Sequence, residues 1–159
     1  MVGGIPLHPL VIHAVVVLLP LSAAGAIVVA ARPAWRRQLG VPVLLLAIAG
    51  VAAVPVAVWS GGYLQAALGG GGPLVEVHAA RASTLLPVAL VFLALLAVTV
   101  LTGRYADRDE PTRGGSATVG RVAIGSGILA ALAGLVVTGL VIWIGHAGAT
   151  AVWSGVGAG

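Results

Sequence analysis

Four histidines, at positions 8, 13, 78 and 146, are the residues whose chemistry stands out in this chain. Imidazole ligates Zn, Cu, Ni and Fe, haem iron included. All four fall at or near an end of a long apolar run. Histidine is costly inside a bilayer and is usually kept there for a reason. His8 and His13 open the first run, in His8-Pro9-Leu10-Val11-Ile12-His13. They are five residues apart, about 140° around a helix, so an unbroken helix does not turn both toward one ion. His78 precedes the third run and His146 ends the fourth. Arg81 stands one turn after His78, placed to pair with a haem propionate. Glu76 is the one carboxylate near the histidines. It reads either as a partner of an imidazole or as a solvated acid at a helix start. The chain has no cysteine. That removes disulfides, thiolate metal sites, iron–sulfur ligation by this chain and covalent c-type haem attachment. Any haem here would be held non-covalently.

The elements that must position these residues are membrane spans. The 159 residues are 60% hydrophobic and 8% charged. A soluble domain carries about 25% charged residues, and this chain could not cover a globular surface with so few. All eight basic residues are arginines confined to connections. The net charge of +4 therefore does not form a nucleic-acid-binding face.

The sequence predicts an all-α integral membrane protein, a four-span up-down bundle filling one domain over 1–159. The spans run from about 9–31, 41–60, 82–102 and 122–145, each near the ~20 residues that cross the hydrocarbon core. The helix of the third is expected to start near 73. The first run is too long, and its start too free of charge, for a cleaved signal peptide. Pro42 opens the second span; Pro20, Pro55 and Pro87 lie within spans and are expected to bend them. Arginines 32, 36, 37, 104, 108, 113 and 121 flank one side, and only Arg81 the other. The positive-inside rule then puts both termini on the non-cytoplasmic side of the cell (inner) membrane. Small residues four apart, as in Ser22/Ala26/Ala30, Ala49/Ala53/Ala57, Ala123/Gly127/Ala131 and Ala130/Gly134/Thr138, suit close helix packing within the chain or between copies in an oligomer. The polar segment 103–120 reads as a solvated connector. The segment after 147 reads as an interfacial helix or a loop. Ala57-Val58-Trp59-Ser60-Gly61 recurs as Ala151-Val152-Trp153-Ser154-Gly155. Duplicated hairpins and biased composition both account for the echo.

Helix rise gives relative depth. His8, His78 and His146 lie 24, 26 and 25 residues from Arg32, Arg104 and Arg121, about 36–39 Å along a helix. His13 lies 19 residues from Arg32, about 28 Å and so a turn or more deeper. Three helices thus bring imidazoles to one level. His8, His78 and His146 form a candidate metal set. For haem b, His8 with His78 or His78 with His146 match in height, and His13 with His78 matches if the helices tilt.

His8-Pro9-x-x-x-His13 opening span 1, His78-Ala79 opening span 3, and Gly145-His146-x-Gly148 followed by Gly155-Val156-Gly157 resemble a bacterial membrane family, domain-of-unknown-function family 2231. The resemblance covers nearly the whole chain. It departs at Ala14 and Val15, where the family usually has Phe and Pro, and at Ser154, where it often has His. Family members are sometimes fused to Rieske iron–sulfur or cytochrome c domains. By that association the resemblance implies a place in membrane redox chemistry.

Two functions follow as expectations. One is a membrane protein whose histidines hold haem b or a transition metal (Cu, Zn or Fe). It would serve electron transfer or assist a membrane redox complex with a Rieske or cytochrome partner. The other is a structural or assembly subunit whose histidines only hydrogen-bond. A transporter ranks lower, because no formal charge sits mid-span. A stand-alone enzyme is not expected: no nucleophile with a base, phosphate loop or carboxylate pair is present.

Overall fold

A computed structural model describes residues 7–106 and 115–154. Its helices are α1 (Leu7–Ala31), α2 (Arg36–Ala67), α3 (Gly72–Ala82), α4 (Leu85–Ala106) and α5 (Gly115–Trp153), with one 3-10 turn, Pro33–Trp35, between α1 and α2. α1 packs on α2 and α5, and α4 packs on the same two. The result is a closed ring of four long helices, with α3 laid against one end of α5 and touching α2 and α4.

The sequence explains where each element stops. Arg32-Pro33 ends α1, since the residue before proline is pushed out of the α region. α2 closes in a Schellman turn. Gly69 N–H donates to Ala66 O at 3.1 Å and Gly70 N–H to Gln65 O at 2.9 Å. Gly69 to Gly72 all have positive φ, from 73° to 104°, a run that only glycine adopts without strain. Pro73 then sits in the first turn of α3, where its missing N–H costs nothing.

The third span is not one helix. It breaks at Ser83-Thr84, whose hydroxyls donate to Ala80 O (2.7 Å) and Arg81 O (2.8 Å). Pro87 sets the restart: it is tolerated in the first turn of α4 but not deeper. So Pro87 is a helix starter rather than a mid-span bend. Pro42 changes role in the other direction. α2 begins at Arg36, so Pro42 lies inside it with Pro55, and α1 carries Pro20. Residues 147–153, expected as an interfacial helix or a loop, continue α5. The central part of the polar connector, 107–114, and the closing glycines, 155–159, lie outside the described residues.

The core runs down the ring. Phe92, Leu19, Leu96, Val29, Val54, Val100 and Val137 are fully buried. Small residues set the spacing. A Cβ on Gly134 would lie 2.9 Å from Ala23 Cβ and 3.2 Å from Phe92, and one on Gly127 would lie 3.3 Å from Thr99 Cγ2. On α2 the inward face is Val43, Ala47, Gly50, Val54 and Ala57. The expected Ala49/Ala53/Ala57 stripe is therefore off by a rotation, and Ala49 faces outward. Polar contacts inside are few. Thr99 Oγ1 donates to Ser126 Oγ at 2.9 Å, joining α4 to α5, and Ser126 donates to Val122 O. Arg36 is 6% exposed, its stem packed where a Cβ on Gly103 would overlap it. Outward positions such as Val17, Leu21, Leu45, Leu90, Leu132 and Ile142 are apolar and exposed. Four of the helical segments are long and apolar enough to cross a membrane. A surface of that kind belongs in lipid.

Candidate functional site

His8, in the first turn of α1, is half-buried. Its Nδ1–H donates to the carbonyl of Ala57 on α2 at 2.9 Å. Ser60 Oγ donates to the same carbonyl at 3.1 Å and lies 3.5 Å from His8 Nδ1. His78, on α3 and also half-buried, makes the matching bond: its Nδ1–H donates to the carbonyl of Ile144 on α5 at 3.0 Å. A carbonyl can only accept, so each bond puts a proton on Nδ1, and in the neutral ring the lone pair is then on Nε2. This is the tautomer in which a histidine ligates through Nε2. The two ring centres lie 6.5 Å apart, with the planes nearly perpendicular at 79°.

Both imidazoles rest on a glycine. A Cβ on Gly61 would lie 2.8 Å from His8 Cε1, and one on Gly148 would lie 3.0 Å from His78 Cε1. Gly61 is four residues after Ala57, and Gly148 four after Ile144. In a helix these are the positions directly above the accepting carbonyls. One construction thus occurs twice: a histidine from the first part of a hairpin, a carbonyl from the second, and a glycine one turn on. The exchange α1 for α4 and α2 for α5 preserves the neighbours around the ring. The match to Ala57–Gly61 is therefore Ile144–Gly148, two turns before the recurrence at Ala151–Gly155. The repeated construction at the site lies at a different register from the sequence echo.

Around the pair lies a cavity of ≈ 620 Å³. Its walls are almost wholly apolar, including Val54, Leu85, Val141 and Ile144, and His13 stands on its lining.

The other predicted residues separate from the pair. His13 is exposed, and its Nδ1–H donates to Pro9 O of its own helix at 2.6 Å. His146 is exposed on α5, outside the cavity lining. Among the described residues no three His, Cys, Asp or Glu side chains are placed to hold a metal. The expected set His8, His78 and His146 is thus not assembled. Equal height along three helices did not fix rotation about α5, which turns His146 out. Arg81 also leaves the cavity lining: its guanidinium lies 4.2 Å over the Trp143 ring, a cation–π contact that fastens α3 to α5. Glu76 is exposed. Reading the sequence by residue type missed Gly61, Gly148 and the two carbonyls. Their only signals were glycine at the ends of α2 and α5 and, for Gly148, its place in the family motif.

No curated protein and no solved structure matches the chain. A family model does. The one described as Predicted membrane protein (DUF2231) matches residues 4–158, both histidine–glycine units included. The chain belongs to that family of multi-pass membrane proteins, domain-of-unknown-function family 2231.

Proposed function

We propose that this protein holds a redox cofactor, haem b or a single transition-metal ion, between His8 and His78, and that it carries electrons or serves a membrane redox complex. The observation that carries this reading is the pair of rings 6.5 Å apart, each with Nδ1–H given to a backbone carbonyl. Metal-ligating histidines usually donate their other ring nitrogen in this way, which orients the ring and raises its basicity. The bound iron or copper would supply one-electron chemistry. The chain supplies two imidazoles held by backbone carbonyls and a largely apolar wall around them. A Rieske- or cytochrome-type protein would be the donor or acceptor.

The arginine bias favours an inner-membrane orientation with the pair and both termini on the non-cytoplasmic side. The test of the function is a visible spectrum with metal analysis on detergent-purified protein. A stoichiometric chromophore or metal is expected; absence of both removes the reading.

The same two hydrogen bonds favour one other reading. They pin α1 to α2 and α3 to α5, as a purely structural subunit would need. Under that reading, His8→Gln with His78→Gln leaves partner activity intact, since glutamine keeps a donor.

A further inference from the structure

We infer that the group between His8 and His78 is an iron tetrapyrrole, with the two Nε2 atoms as its axial ligands, rather than a bare metal ion. The inference rests on the paired-imidazole reading above and narrows it. Three observations separate the two kinds of ligand.

The first is distance. With metal–nitrogen bonds of about 2.0–2.1 Å, imidazoles on opposite sides of one ion have ring centres about 6.4 Å apart, and at a tetrahedral angle about 5.2 Å. The rings here are 6.5 Å apart, the separation of opposed ligands. The second is number. A bare zinc or copper site needs three or four protein ligands, and no third His or carboxylate completes one among the described residues. A tetrapyrrole brings four equatorial nitrogens of its own and asks the protein for two axial groups. The third is room. An ion needs almost no cavity, whereas this one is ≈ 620 Å³ and apolar. That volume is within the roughly 300–1,000 Å³ typical of cofactor sites.

The repeated histidine–carbonyl–glycine unit fits the same conclusion. Matching halves present matching ligands to the two faces of one flat group. No covalent link is available, since the chain lacks cysteine.

The test uses the full chain, expressed with a haem precursor and purified in detergent. One haem per chain is expected, with a low-spin, six-coordinate spectrum in both oxidation states. His8→Gln and His78→Gln should each cut retained haem at least about tenfold or convert it to a five-coordinate, high-spin form. Added imidazole should restore the low-spin spectrum. His146→Ala, outside the cavity lining, should leave the spectrum unchanged. If either glutamine variant does not fold, resonance Raman of the unmodified protein decides, by showing or failing to show two imidazole ligands. Low-spin haem that survives both glutamine variants overturns the assignment. Stoichiometric copper or zinc without a Soret band overturns the tetrapyrrole but keeps the paired-imidazole site. Neither haem nor metal sinks both.

Discussion

Gly61 and Gly62 are neighbours in the same helix, yet they should respond oppositely to alanine. A Cβ on Gly62 meets nothing within 4 Å, so Gly62→Ala gains helix propensity of about 0.5–1 kcal/mol. A Cβ on Gly61 meets a ring that cannot swing away without losing its bond to Ala57 O. Gly61→Ala should cost about 1–3 kcal/mol net, the usual range for overpacking. Gly145 and Gly148 repeat the contrast on α5, with nothing near Gly145. Melting of the four variants in detergent measures it, and equal shifts within each pair would refute it. The near-perpendicular ring planes, 79°, give a second expectation at this scale. Each plane is set by its own carbonyl, so an iron between them would experience crossed imidazoles. Its oxidised form should give a highly anisotropic low-spin EPR signal, and a rhombic signal of parallel ligands would contradict the geometry. The sequence made His8 and His78 visible by residue type and depth. It could not show which side chains turn inward, because near-uniform apolarity leaves helix rotation unmarked. For that reason His146, at matching height, was grouped with them.

Helix contacts are where close approach matters. Gly134 packs against the backbone of Ala23, with a Cβ-to-Cα distance of 3.2 Å, and backbone cannot step aside. Gly134→Ala should therefore destabilise by about 1–3 kcal/mol, whereas Gly139→Ala, in open space, should not. The Thr99–Ser126 bond links α4 to α5. A double-mutant cycle with Thr99→Val and Ser126→Ala should give a coupling near 0.6 kcal/mol, about the average for membrane interiors. A coupling near zero would mean the hydroxyls are satisfied by their own helices alone, as Thr99 with Leu95 O and Ser126 with Val122 O already permit. Helix existence was readable from apolar length. Helix ends were readable only where proline or glycine punctuates, as at Pro33 and Gly69. The break at Ser83-Thr84 escaped notice because a serine–threonine pair inside an apolar run carries no strong stop signal. Pro87 was the clue, read as a bend when it marks a start.

For the molecule as a whole, orientation can be read directly, because the chain has no native cysteine. Single replacements Gln65→Cys and Ala34→Cys mark opposite ends of the bundle. A membrane-impermeant maleimide on intact cells should label the first and not the second; the reverse would invert the proposed topology. The four-helix architecture was legible from the lengths and order of the apolar runs, and the repeated histidine–glycine contact was not. Its sequence trace is two glycines and two histidines, without side-chain likeness around them. The turn at Gly69–Gly72 joins the half that bears His8 to the half that bears His78, and the carbonyl seating His78 comes from α5. During synthesis the first imidazole is therefore in place long before its counterpart is fixed. The chamber is complete only once the fifth helix has joined the others, so a guest touching both imidazoles would find its full seat only then.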